Sequence, residues 1–190
     1  ILYKPEVTAV QTVFFVKSKK WHKIAESILQ NQKVWYNKVM DRIEMKPIGF
    51  VKCEVKNKKD ESWGQNVSSI ILNEDYFGGL KGLEDFSHAI ILYYLDQAKF
   101  EKEKHLQRRP QNRADMPLVG IFSQRAKDRP NQIGMTSVKI ESVMENCLIV
   151  QGLDAIDGTK ILDIKPYYPM YDKKESKVPS WVETLMKGYF

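Results

Sequence analysis

Two short stretches concentrate the side chains that could do chemistry. The first, RAKDRPNQ at 125–132, packs Arg125, Lys127 and Arg129 with Pro130 and Asn131 into the bend between two strand-like runs. A guanidinium offers forked donors suited to a carboxylate or phosphate, and Asn131 beside Pro130 can hold a turn by bonding its own backbone. The second, GLDAIDGTKILDIKPYYP at 152–169, sets Asp154 and Asp157 three residues apart around a Gly-Thr turn. Such carboxylates can accept from backbone N–H groups or from a ligand's hydroxyl or amine. Taken alone, DGT is a turn. Together the two stretches join charges to turn residues between strands that could close one end of a barrel.

Other chemistries find less support. FGGLKGLEDF at 77–86 invites comparison with a nucleotide-binding loop, but a dinucleotide fingerprint needs a strand before it and a helix after it, and the next run, HAIILYYL, has strand composition. Gly78, Gly79 and Gly82 therefore read as tight turns at positive φ. His22, His88 and His105 are far apart, with no H-E-x-x-H and no paired cysteines, so no metal is expected. His88 opens a buried-looking strand, where satisfying a backbone carbonyl is the default role. There is no G-x-S-x-G, and neither Cys53 nor Cys147 has the basic or helix-start setting of a reactive thiolate.

The elements that must position these residues are mostly strands. PIGFVKCEV (47–55), SSIIL (68–72), HAIILYYL (88–95), LVGIFSQ (118–124), IGMTSVKIESV (133–143), CLIVQGL (147–153) and ILDI (161–164) are separated by Gly, Pro, Asn and Asp turns. The runs flanking Glu145-Asn146 read as a hairpin. About seven short strands with little helical pattern between them predict a mainly β fold, a small closed barrel or sandwich. KNKKDESWGQN (56–66) and 99–116 read as long polar loops, and Ser180 to Glu183 as a capping box opening a short helix through about Lys187.

Ahead of the strands, TAVQTVFFV (8–16) has strand character, and Trp21, Ile24, Ile28, Trp35, Val39, Met40 and Ile43 then recur at helical spacing. Residues 1–44 are thus a strand–helix appendage whose apolar stripe can pack on its own domain or dimerise. No run approaches 18 apolar residues, so no membrane span is expected. Two cysteines without a C-x-x-C suit a reducing, cytoplasmic setting. The formal charge of +6 is unevenly spread: residues 1–60 hold 13 Lys/Arg against 6 Asp/Glu, and 99–113 hold 6 against 2. Clustered positive charge suits a polyanion such as RNA, or a solvated basic surface.

Three ordered motifs, LKGLEDFSH, GIFSQRAKDRPNQIGMT and GLDAIDGTKILDIKPY, closely resemble the TrmO (TsaA-like) family of tRNA methyltransferases, from about Pro47 to Tyr171. The resemblance implies a β-barrel methyltransferase domain over 45–171, and the capping box beyond it makes 172–190 a helical tail. It also implies S-adenosyl-L-methionine as cofactor without a Rossmann sheet, a homodimer, and methylation of N6 in N6-threonylcarbamoyladenosine next to a tRNA anticodon. Carried over by position, cofactor contacts fall on Trp63, Gly64, Gln65, Asp96, Gln97, Arg125, Met135, Gly152, Leu153 and Asp154. An aromatic and a methionine can flank adenine or sulfonium, a carboxylate can take a ribose hydroxyl or an amine, and an arginine can pair a carboxylate. Asp154 and Asp157 are the candidate proton acceptors. Lys127, Arg129, Asn131, Arg108, Arg109 and Arg113 are the candidate tRNA contacts. Two other classes fit the same residues: a non-catalytic RNA-binding barrel, and a methyltransferase of this fold with another substrate.

Overall fold

The computed structural model describes residues 43–57 and 61–190. The appendage expected over 1–44 lies outside these residues except for Ile43 and Glu44. The chain divides between Glu44 and Met45, and the fold is that of the unit from Met45 onward.

Alternation between buried and exposed side chains builds the barrel. The strands are β1 (Gly49–Lys52), β2 (Val67–Leu72), β3 (His88–Tyr94), β4 (Gln107–Arg108), β5 (Val119–Gly120), β6 (Ile133–Val143), β7 (Cys147–Gln151) and β8 (Lys160–Pro166). Ser68, Ile70 and Leu72 of β2 face inward, as do Ala89, Ile91 and Tyr93 of β3, and Gly134, Thr136 and Val138 of β6. Six strands close antiparallel in the order β1-β2-β7-β6-β3-β8, with β8 returning to β1. Val51, Ile70, Ile91, Val138, Leu148, Val150 and Ile161 fill the interior and are all but inaccessible to solvent. Each such aliphatic side chain contributes roughly 1.5–3 kcal/mol on leaving water. Closure also removes the unpaired edges that an open sheet of this size would present.

The barrel has six strands where the sequence suggests about seven. LVGIFSQ is the exception: only Val119–Gly120 is extended, and it pairs with Gln107–Arg108 in a separate ribbon before Ile121–Ser123 form a helical turn. The run offers too little to bury, because Ile121 is enclosed while Leu118 is 62% and Phe122 79% exposed. Its partner strand lies inside the basic segment, whose polar composition reads as loop. That segment also folds a short helix, α1 (Lys102–His105). The expected Glu145-Asn146 hairpin forms, with Met144 and Cys147 exchanging backbone hydrogen bonds of 2.8 and 3.4 Å. Gly78 and Gly82 adopt positive φ as expected, whereas Gly79 does not. His88 is exposed rather than buried, and its Nδ1 meets the Ser87 hydroxyl at 2.9 Å.

Beyond β8 lie α2 (Pro169–Asp172) and α3 (Ser180–Met186). The helix at α3 is the expected one, but its capping box does not form. Pro179 takes the N-cap position with ψ at 147°, Ser180 is already helical, and no side chain bonds the cap.

One pairing matters for the site. Tyr93 sits opposite Gly134, and a Cβ at Gly134 would lie 2.2 Å from a carbon of the Tyr93 ring. The β3–β8 register also shifts at this residue, between Leu92 and Tyr93. Gly134→Ala is therefore expected to overpack the barrel and cost about 1–3 kcal/mol, read as a lowered midpoint in thermal or urea denaturation.

Candidate functional site

Tyr93 and Thr136 point inward from neighbouring strands at one end of the barrel, and a carboxylate reaches both. β7 stops at Gln151, opposite Lys139 of β6, and Gly152 then turns the chain at φ 89°, a conformation that favours glycine. Its amide donates to the Asn66 carbonyl at 2.9 Å, Leu153 plugs the interior at 0% exposure, and Asp154 comes next, partly buried. The Tyr93 hydroxyl donates to Asp154 Oδ1 at 2.5 Å, and the Thr136 hydroxyl donates to the same oxygen. The two hydroxyl oxygens lie 3.1 Å apart. A third hydroxyl, from Tyr189, donates to Oδ2 at 2.9 Å.

These donors are neutral. Among the described residues no lysine or arginine forms an ion pair with Asp154, so hydroxyl dipoles alone hold the carboxylate in place. Burial, and next the Asp154 charge, push the Tyr93 phenol far above the usual tyrosine range, so it remains a donor.

Arg125 reaches the same region through β6. The register turns the Met135 carbonyl away from β3, and β7 accompanies β6 only from Lys139 onward. The Arg125 guanidinium takes that carbonyl at 2.5 Å. It thereby caps the open edge one residue before Thr136, while the Met135 side chain is 49% exposed on the other face of the strand.

The basic bend folds around a buried acid. Asp128 Oδ2 accepts from Lys127 Nζ at 2.7 Å and from Arg108 at 3.4 Å, and Oδ1 accepts from the Lys99 amide at 3.1 Å. Burial works to raise the Asp128 carboxyl, but the hydrogen bonds from Lys127 and the Lys99 amide prevail and hold it below the usual carboxylate range. Gln132 completes the tie, accepting from the Tyr94 hydroxyl at 2.8 Å and donating to the Ala98 carbonyl at 2.5 Å.

Residues 51–173 match the tRNA-methyltransferase O N-terminal domain. The chain belongs to the TrmO family. It is 37% identical over 132 residues to an S-adenosyl-L-methionine-binding protein of Archaeoglobus fulgidus, covering 67% of this chain and 91% of that one. It is 41% identical over 100 residues to the mouse tRNA (adenine(37)-N6)-methyltransferase, covering 51% of this chain and 22% of that one. The crystal structure of TrmO from Pseudomonas aeruginosa superposes with a TM-score of 0.62 at 26% identity, over 76% of this chain and 63% of that one. The chain thus spans less than two thirds of the solved TrmO.

Set in the TrmO barrel, the expected contacts divide into groups. Trp63 is buried, Gly64 lies under Phe190, and Gln65 accepts from Gln151 at 3.4 Å. The Gly152 turn brings the Gly64 carbonyl within 3.9 Å of where a Gly152 Cβ would stand, so Trp63–Gly64 and Gly152–Asp154 adjoin. Asp96 pairs with Lys160 at 3.3 Å, and Gln97 is next to it on an exposed turn. Asp157 is a turn acid: its Oδ1 accepts from the Cys53 amide at 3.1 Å, and Lys52 stands 3.6 Å from Oδ2. The Cys53 amide, aided by Lys52, holds the Asp157 carboxyl below the usual range. Of the expected RNA contacts, Arg108 and Lys127 are engaged with Asp128, Arg113 forms a bidentate pair with Asp115 at 3.0 and 2.6 Å, and Arg109 donates to the Met116 carbonyl. Arg129 forms no ion pair among the described residues, and Asn131 is exposed.

Tyr93, Thr136, Asp128 and Tyr189 are the residues that sequence reasoning missed. Inward alternation in HAIILYY and IGMTSV could have flagged the first two; nothing near Tyr189 in the sequence marks it.

Because folding raises the Tyr93 pKa, the stability it confers is complete below the ordinary tyrosine value of about 10 and lost as pH rises above it. Tyr93→Phe should flatten the alkaline limb of a stability–pH curve and cost about 1–3 kcal/mol at neutral pH, measured by urea denaturation across pH. Folding lowers the Asp128 pKa, so its contribution is present above about 3.9 and lost as pH falls below. Asp128→Asn should remove that acid limb and open the 99–116 segment to limited proteolysis at neutral pH.

Proposed function

We propose that this TrmO-family chain is an S-adenosyl-L-methionine-dependent tRNA methyltransferase that methylates N6 of N6-threonylcarbamoyladenosine next to the anticodon. The observation that carries the reading is the Asp154 cluster, built where the Trp63–Gly64 loop, the Gly152 turn and the Arg125-capped edge of β6 adjoin. These residues suit the cofactor. Asp154 can accept from a ribose hydroxyl or an ammonium group, Arg125 can pair a carboxylate, and the exposed Met135 offers soft apolar contact. When bound, the cofactor supplies an electrophilic methyl group on sulfur, with a neutral thioether as the leaving group.

The chain's own residues supply alignment and a fitting field. Conjugation with a carbonyl makes the target nitrogen a weak nucleophile but a better acid, so a carboxylate that takes its proton as the N–C bond forms is useful. Of the two candidates, Asp154 is better placed. Asp157 is committed to the Cys53 amide and Lys52, and its lowered pKa makes it a poor proton acceptor. Asp154 is oriented through Oδ1 by the neutral hydroxyls of Tyr93 and Thr136 rather than by a cation, and its Oδ2 meets only the Tyr189 hydroxyl among the described residues.

Arg129 and Asn131 contact tRNA phosphate in this reading, with Lys127, Arg108, Arg109 and Arg113 shaping the surface that bears them. The exposed Leu118 and Phe122 beside Leu106 suit a second copy of the chain in a homodimer. The two thiols, neither of them bridged, suit a cytoplasmic setting. Residues 45–171 form the methyltransferase domain, and 172–190 its helical tail.

Asp154→Asn should lower single-turnover methylation of purified substrate tRNA by about 10²–10⁴-fold. Nucleoside mass spectrometry of tRNA from a deletion strain should show loss of the methylated threonylcarbamoyladenosine. An unchanged modified-adenosine profile rejects the tRNA assignment, and absence of saturable heat with S-adenosyl-L-methionine leaves a binding-only barrel.

A further inference from the structure

Asp154 has only one oxygen to offer a ligand. Oδ1 already accepts from Tyr93 and Thr136, both fixed within the barrel wall, so a ligand donor must come to Oδ2. That oxygen accepts from Tyr189, which belongs to neither the barrel nor the family-matched span 51–173.

The segment carrying Tyr189 lies along the loop expected to meet the cofactor. The Ser62 amide donates to the Gly188 carbonyl at 2.9 Å, and the Trp63 amide donates to the Tyr189 carbonyl at 2.9 Å. Gly64 makes room for Phe190, since a Cβ at Gly64 would stand 2.8 Å from the Phe190 carbonyl carbon. Tyr189 and Phe190 present their rings edge to face at 5.0 Å. A phenolic donor and an aromatic ring thus occupy ground suited to a hydroxyl or amine and a flat base.

Among the described residues the end of this segment is held by those contacts, while the chain that leads to it packs lightly. Residues 173–179 are exposed throughout, α3 has no buried residue and no side-chain cap, and the turn into the site passes through Gly188 at φ 80°. Segments with exposed backbone and few buried contacts open at small free-energy cost.

We propose that residues 188–190 are a displaceable strap that competes with the methyl donor for Asp154, the Tyr189 hydroxyl standing in for a donor group of the ligand. The inference rests on the cofactor reading of the Asp154 cluster. While the strap is docked the site is closed, and the apparent dissociation constant exceeds the intrinsic one by the reciprocal of the open fraction.

The test is calorimetric titration of S-adenosyl-L-methionine into the full chain, a chain ending at Lys187, and Tyr189→Phe, with amide exchange at Ser62 and Trp63 followed by NMR. Removing 188–190 should tighten binding roughly tenfold and Tyr189→Phe roughly threefold. In the full chain, protection of the Ser62 and Trp63 amides should fall as the ligand is added. Equal or weaker binding by the shortened chain and Tyr189→Phe, or protection that rises with ligand, overturns the strap while leaving the cofactor reading intact. No saturable heat in any of the three rejects the cofactor reading, and the strap with it. Should the shortened chain fail to fold, Tyr189→Phe and the exchange data decide alone.

Discussion

A partly buried carboxylate held, among the described residues, by hydroxyl groups and no cation is the constraint around which this barrel end is arranged. An ion pair would satisfy Asp154 more strongly but would also neutralise it, and moving its partner would then be costly. Hydroxyls hold the group in place and leave its charge available. That choice makes demands elsewhere. Tyr93 must lie flat against β6, so Gly134 carries no side chain. Thr136 must face inward at the next buried position along the strand, where an aliphatic residue would pack better. The chain must leave the β6 edge early enough to return across the barrel mouth, which the left-handed Gly152 allows.

A second acid plays the opposite part. Asp128 draws Lys127, Arg108 and the Lys99 amide into one knot, so one cation of the bend is paired locally while Arg108 and the Lys99 amide hold the bend against the 99–109 segment. Glu101 likewise engages Lys99 and Lys104, and Asp115 engages Arg113. The basic surface is therefore a structured one with local counter-charges, and its attraction for a polyanion is smaller than a count of lysines and arginines implies. What the knot contributes is a fixed bend, whose first residue, Arg125, meets the open edge of β6 at the Met135 carbonyl.

The two acids differ because their surroundings differ. Asp128 is fixed by cations and backbone, and so serves the fold. Asp154 has its second oxygen bonded to Tyr189, beyond the barrel, rather than to a cation or a backbone amide among the described residues. Asp157, tied to a backbone amide at the turn into β8, belongs with Asp128.

The barrel was largely legible in the sequence, because strands that bury one face must alternate with period two and are bounded by turn residues. Six of the seven expected runs joined it, and the hairpin at Glu145-Asn146 has the expected place. LVGIFSQ misled because a short apolar run looks the same whether it enters a core or merely brushes one. The motif wording carried the family, and with it the neighbourhood of Arg125, Met135 and Asp154. Local sequence determined these features since each depends on neighbours a few residues away. The partners of Asp154 come from 61, 18 and 35 residues away, and the site of Tyr189 depends on backbone amides at Ser62 and Trp63. Hydrogen bonds over such separations leave no periodic trace in the chain. Only closure of the barrel, which brings distant hydroxyls to one carboxylate, could decide them.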